Sequence, residues 1–245
     1  MSMLRRPASA MGSRKMQNDD SNAYDELTIL QKLVDDIRTP KGTKASPART
    51  CQDLHKVNPD LEDGEYYIDP NLGTSRDALK VKCKMSTGET CVIPNPNTIQ
   101  MKNLQEEGLG HTWFSDMSDG HIFTYKIDKF QLNFLQLMSD VATQQITYNC
   151  HNSVAYYNSK NSTLDQAIKL LTSDENILTA DSKPSLTYKM LSDSCQNGNV
   201  DEWGRTIFEV KTSKAQRLPI VDIAPYLSED PTQEIELQLG EVCFS

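Results

Sequence analysis

The chain has 245 residues and a formal net charge of −9 at pH 7, a length for one globular domain or two small ones. The acidic balance argues against a nucleic-acid partner, which needs clustered Lys and Arg to meet phosphates. No apolar run approaches the roughly 18 residues of a membrane span, so the sequence reads as soluble, with no membrane partner.

In chain order, residues 1–20, "MSMLRRPASAMGSRKMQNDD", carry charge without an apolar core and read as a flexible leader or tag, not a signal peptide. Residues 21–40 read as a helix. Ser21 or Asn22 can cap it, Asp25 and Glu26 suit its positive end, and Pro40 with Gly42 stops it. Leu27, Leu30, Val34 and Ile37 recur at spacings of three, four and three, an a/d seam about two heptads long. Ile29 and Leu33 widen the stripe. So short a helix is marginal alone. It is either an amphipathic helix docked on its own domain or a coiled-coil stalk between chains. Residues 41–50 read as a loose linker, which favours the stalk because a tethered stalk needs a hinge.

From residue 51 to 245 short strand-like runs dominate: "LKVKCKM", "ETCVIP", "HIFTYKI", "QITYNC", "SVAYY", "LTYKML", "RTIFEVKT", "LPIVDIAP" and "IELQLGEVCF". Two helical patterns interrupt them. "FQLNFLQLMSDVAT" puts Phe130, Phe134, Leu137 and Met138 on one face, and "TLDQAIKLLTS" offers Leu164, Ile168 and Leu171. The expected class is α+β with a largely antiparallel sheet.

No catalytic residue is assigned, and the chain does not read as an enzyme. It has no G-x-S-x-G, phosphate loop or dinucleotide fingerprint. Cys150 and His151 are adjacent, but strand neighbours point to opposite faces. His111, His121 and His151 lack zinc spacing. Six cysteines, an even number with no C-x-x-C, favour disulfides and a secretory history over buried thiols. Their spacing leaves the pairing open. Asn161 opens the glycosylation sequon "NST".

The stretch "EYYIDPNLGTSRDALKVKC" brings Asp69, Asn71 and Asp77 close in sequence. One reading is an Asx-type turn at "DPNLG". The other is an oxygen-rich calcium loop. It is not an EF-hand, since the sixth position lacks Gly and Lys80 stands where the bidentate Glu would be.

"ARTCQDL", "GEYYIDPNLG", "DALKVKCKMSTGETCVIP", "NSVAYYN", "RLPIVDIAP" and the terminal "VCF" together resemble the C-terminal propeptide of fibrillar procollagens. The resemblance runs collinearly from about Tyr24 to Ser245. It implies a trimerisation domain that associates with two further procollagen chains, a homotrimer in preference to a heterotrimer, sets register and nucleates the triple helix. The implied shape is a flower: a coiled-coil stalk, then a disulfide-stapled, fibrinogen-like globe of base and petal over residues 51–245. A calcium ion is implied on side-chain oxygens of Asp69, Asn71 and Asp77 and carbonyls of Leu72 and Thr74. The implied bridges are Cys51–Cys83, Cys91–Cys243 and Cys150–Cys195. A tolloid-type procollagen C-proteinase is implied as a partner, and Asn18-Asp19 resembles its site. Assembly in the endoplasmic reticulum lumen would precede secretion to the extracellular matrix.

The sequence also departs from the family. Val57 and Thr74 stand where vertebrate members carry cysteines for bridges between chains, which implies no interchain disulfide. Gln145 replaces the usual sequon Asn, and "KIDKF" shortens a stretch associated with chain recognition. These departures suggest an invertebrate or early-branching collagen. The alternative reading is a secreted fibrinogen-like module that recognises glycans or other extracellular ligands.

Overall fold

The computed structural model describes residues 13–102, 104, 107–196, 198 and 202–245, with side chains from Asn22 onward except Asp36. Helix α1 spans Ser13–Arg38. It begins before the Ser21 or Asn22 cap expected from the sequence and takes in part of the expected leader, whose residues 1–12 lie outside the described residues. No Pro or Gly falls between Ser13 and Asn22. The Ser, Asn and Asp found there each cost only about 0.5–0.7 kcal/mol against Ala in a helix interior. The helix ends where the sequence predicts. The Thr39 N–H and Oγ1 both donate to the Asp35 carbonyl, at 2.8 and 2.7 Å, and Pro40 cannot continue the ladder.

Residues 41–50 are not a loose hinge. Helix α2 (Cys51–Val57) follows them, capped by Thr50 Oγ1, which accepts from the Asp53 N–H at 3.1 Å. The Asn58 side-chain amide donates to the Pro40 carbonyl at 2.8 Å, Lys41 N–H donates to the Ser46 carbonyl at 3.1 Å, and Ala48 is buried. Gly42 has φ +68°, and a Cβ there would stand 2.7 Å from Leu54 Cδ2. Backbone groups that a hinge would leave to water have partners in the body.

The strands are β1 (Gly64–Ile68), β2 (Leu79–Lys84), β3 (Glu89–Val92), β4 (Pro94–Asn95), β5 (Thr98–Met101), β6 (Gly110–His111), β7 (Thr124–Tyr125), β8 (Ala142–His151), β9 (Lys169–Thr172), β10 (Ile177–Leu178), β11 (Lys189–Asp193), β12 (Gly204–Thr212), β13 (Ile220–Ala224), β14 (Tyr226–Leu227) and β15 (Glu234–Phe244). Helix α3 (Lys129–Leu137) precedes β8. The main sheet is antiparallel, in the order β1-β2-β3-β15-β8-β12-β11, with β5 also paired to β15. A smaller sheet, β10-β9-β13, adds Leu170 and Ile223 to the same core.

The longest strands show why the sheet forms. In β8, Ile146, Tyr148 and Cys150 are fully buried at two-residue spacing, opposite Phe208 of β12 and Leu237 of β15. Tyr148 lies deep enough that burial pushes its phenol well above the ordinary value, and its hydroxyl pairs with Ser153 Oγ at 2.6 Å. Among the described residues the structure joins Cys51 to Cys83, Cys91 to Cys243 and Cys150 to Cys195, at sequence separations of 32, 152 and 45. These are the pairs the resemblance implies.

Two expected elements differ. "TLDQAIKLLTS" is not a helix: its second half forms β9, where Leu170 and Thr172 are buried and Lys169 and Leu171 only partly so. Its apolar residues fit both periods in so short a window, and pairing with β10 and β13 selects two. "SVAYY" forms no strand either. Its Ser153 and Ala155 are buried through Tyr148 Oη and the Ile168 N–H, which donates to the Ala155 carbonyl at 3.0 Å. No described helix is long and apolar enough to cross a membrane.

Candidate assembly and metal site

On α1, Leu27, Leu30, Val34 and Ile37 are 55%, 58%, 45% and 65% exposed. A helix docked on its own domain would cover this seam, and here the seam faces water. Among the described residues the C-terminal turns of α1 lie against the body. There Leu33 and Ile37 wall a groove of about 440 Å³, which Val57, Asp69, Leu72 and Thr74 also line.

The loop from Asp69 to Asp77 is built from short polar turns. Asp69 N–H donates to the Ala48 carbonyl at 2.7 Å, and Leu72, with φ +51°, donates its N–H to the Asp69 carbonyl at 3.1 Å. Asn71 Oδ1 accepts from Gly73 N–H at 2.7 Å, an Asx turn. Thr74 Oγ1 donates to Asp77 Oδ1 at 3.1 Å, and Asn71 Nδ2 donates to Asp77 Oδ2 at 3.1 Å. The turn therefore exists, and it folds Asp77 back onto Asn71.

Gln131 of α3 closes the cluster, and sequence reasoning missed it. Its Nε2 donates to Asp69 Oδ1 at 3.0 Å and to Asp77 Oδ2 at 3.1 Å, while its Oε1 accepts from Asn71 N–H at 3.3 Å. Two carboxylates thus converge on one buried amide. Asp69 is 3% exposed. Burial pushes its carboxyl above the usual value, and the Asp77 charge pushes the same way, against the Gln131 hydrogen bond. The Asp77 carboxyl is held below its usual value, chiefly by the Asn71 hydrogen bond. Among the described residues neither forms an ion pair. Carboxylate, amide and carbonyl oxygens around a negative cluster are the donor set of a hard cation. Glu89, Cys91 and Cys243 also lie together, but both sulfurs are in a disulfide and are unavailable to a metal.

Helix α3 turns its apolar face outward. Asp128 Oδ1 caps it, accepting from the N–H groups of Phe130 and Gln131 at 2.8 and 3.1 Å. Phe130, Phe134 and Leu137, which share one face as the sequence pattern has it, are 76%, 44% and 72% exposed. Gln131, Leu135 and Gln136 face inward. The two glutamines fix this rotation: Gln131 holds the acidic loop, and Gln136 Nε2 donates to the Leu218 carbonyl at 2.8 Å. Both amides are satisfied inside, so burying them is tolerated. Two glutamines on one side of an apolar helix were the available signal, and hydropathy alone assigns that side to water.

Asn161 is exposed in a turn closed by the Asn158–Thr163 bridge. Asn18 and Asp19 fall in α1, with their side chains outside the described residues. Val57 and Thr74 both line the groove beside α1. Cys150, bonded to Cys195, offers no thiolate.

A profile of the fibrillar collagen C-terminal domain matches residues 19–244. The collagen alpha-1(I) chain of Gallus gallus is 40% identical over 253 residues, which cover 95% of this chain and 17% of that protein. The collagen alpha-1(II) chain of Xenopus tropicalis is 39% identical over 243 residues, covering 95% of this chain and 16% of that protein. The chain thus spans less than a fifth of the length of these relatives.

Proposed function

The chain belongs to the fibrillar collagen C-terminal domain family, and from that premise we propose that it joins three collagen chains, sets their register and nucleates the triple helix. Membership carries a procollagen C-propeptide role, association with other procollagen chains and a structural place in the extracellular matrix. The trimer is the further step. The observation that carries it is the uncovered seam Leu27, Leu30, Val34 and Ile37. Burying a Leu-sized side chain contributes about 1.5–3 kcal/mol, and since no described residue covers the seam, another chain is the proposed cover. Two heptads are too few to hold a coiled coil alone. The exposed face of α3 and the groove beside α1 extend the contact.

Calcium is the proposed cofactor of the acidic loop. Asp69, Asn71 and Asp77 side chains and the Leu72 and Thr74 carbonyls would hold it, with Gln131 bracing the two carboxylates. Its charge would relieve the burial cost on Asp69 and stiffen the groove wall that Leu72 and Thr74 form. All six cysteines pair within the chain, so the trimer is non-covalent and its population depends on concentration. It is a homotrimer, formed in the endoplasmic reticulum and released by a tolloid-type proteinase at Asn18-Asp19, with a glycan at Asn161.

Sedimentation velocity of Leu30→Asp tests the seam. Three charges at one layer should dissociate the trimer while the globe keeps its melting temperature. An unchanged trimer contradicts the reading.

A further inference from the structure

Away from the assembly faces, β12 runs into a tight turn in which Thr212 Oγ1 accepts from Lys214 N–H at 3.0 Å, and the 3-10 turn Ala215–Arg217 follows. Lys211, Lys214 and Arg217 line a cavity of about 170 Å³ together with Ser185, Thr187 and Ser213. Among the described residues no carboxylate lines it, a local reversal in a chain of net charge −9. Lys211 and Lys214 are exposed, and among the described residues neither forms an ion pair.

Arg217 differs from the two lysines because its guanidinium is built into the wall. The residue is 7% exposed. Its Nη1 donates to the Ser185 carbonyl, and its Nε is buried without a hydrogen-bond partner. Arg217 is ion-paired with Asp174, whose Oδ2 stands 3.8 Å from Nε, close enough to share charge and too far for a hydrogen bond. The other Asp174 oxygen accepts from Thr172 Oγ1 at 2.5 Å. The rigid guanidinium lends positive potential to the cavity wall, and any bond it makes to an oxyanion is charge-assisted.

We propose that this cavity binds a tetrahedral oxyanion, the sulfate ester of an acidic polysaccharide. The cavity has room for one such group and no sugar ring. The polysaccharide therefore lies across the mouth, over Lys211 and Lys214, while the wall that includes Arg217 receives the sulfate. A matrix protein meets fixed sulfate esters on extracellular polysaccharides, which selects that source of the anion. The site is separate from the α1 seam and the acidic loop, so it stands or falls independently of trimer formation.

The test is titration calorimetry of the intact chain at low salt with three probes: a sulfated disaccharide, the same disaccharide without sulfate, and inorganic sulfate. The sulfated sugar should bind, the unsulfated one should not, and inorganic sulfate should compete. Lys211→Ala with Lys214→Ala should weaken binding about tenfold. Lys44→Ala with Lys160→Ala removes the same charge elsewhere and should leave affinity within about twofold. Both double variants keep Arg217 and hence the wall. Equal losses in the two double variants would reduce the site to diffuse surface charge and overturn the proposal. So would equal binding of the unsulfated sugar, failure of inorganic sulfate to compete, or no binding of the sulfated probe.

Discussion

Strand β8 and helix α1 both carry aliphatic side chains at regular spacing, and they treat them oppositely. In β8, Ile146 and Tyr148 are fully buried between β12 and β15. On α1, every seam residue is at least 45% exposed. The sheet completes its own core and the helix does not. Stability of the globe and assembly of the oligomer should therefore be separable, with α3 at the boundary: its glutamine face serves the globe and its Phe130–Leu137 face is left over.

The largest break in this comparison comes from the sheet. Cys91 and Cys243 close a separation of 152 residues, and restricting so long a loop in the unfolded chain contributes about 4–5 kcal/mol. Cys91→Ala with Cys243→Ala should lower the urea midpoint accordingly, yet leave self-association intact well below the transition. If association is lost while the globe is still folded, the two regions are not independent.

A smaller effect is expected at α3. Replacing Phe130 and Leu137 together by Ser should change the unfolding free energy by less than about 0.5 kcal/mol, as at an exposed site. The same pair should weaken association by about 2–3 kcal/mol per chain if that face is covered in the oligomer. Chemical denaturation beside sedimentation equilibrium separates the two. A large stability loss without change in association would return the stripe to the globe.

The acidic loop sharpens the comparison further, because its two aspartates should respond differently. The folded-state carboxyl of Asp69 is raised by burial, so calcium-free stability falls as pH rises from the ordinary carboxylate value through the raised one. Asp69→Asn removes that anion. It should leave the calcium-free protein as stable or more stable at neutral pH, and abolish its gain on adding calcium. At ten times the dissociation constant that gain is about 1.4 kcal/mol. Asp77, held low by Asn71, contributes stability present above its unfolded value and lost as pH falls through the folded one. Asp77→Asn should therefore be no more stable than the parent without calcium, and should bind calcium weakly. Thermal melts with calcium and with chelator, over the acidic range, read both variants. Equal calcium shifts in parent and Asp69→Asn would remove the metal from this loop.

The sheet was legible in the sequence where strands were long. "QITYNC", "RTIFEVKT" and "IELQLGEVCF" alternate on one face, and they became β8, β12 and β15. Short windows were not legible. "TLDQAIKLLTS" suits either period, and partners far away in sequence made it a strand. Hydropathy also could not tell which side of α3 faces inward, since it counts Gln131 and Gln136 as solvent-facing and cannot see the Asp69 carboxylate or the Leu218 carbonyl that receive them. Residues 41–50 looked loose because their Gly, Pro and small residues suit a linker. The same residues let a strap lie close against α2 and β1.

The most direct test of separable globe and assembly is sedimentation equilibrium of the intact chain over a wide concentration range, in calcium and in chelator. The uncovered seam and the acidic loop together predict a mass approaching three chains at high concentration with calcium, falling toward one chain on dilution and, sooner, on chelation. A single-chain mass at every concentration, or a three-chain mass that neither dilution nor chelation reduces, would contradict them.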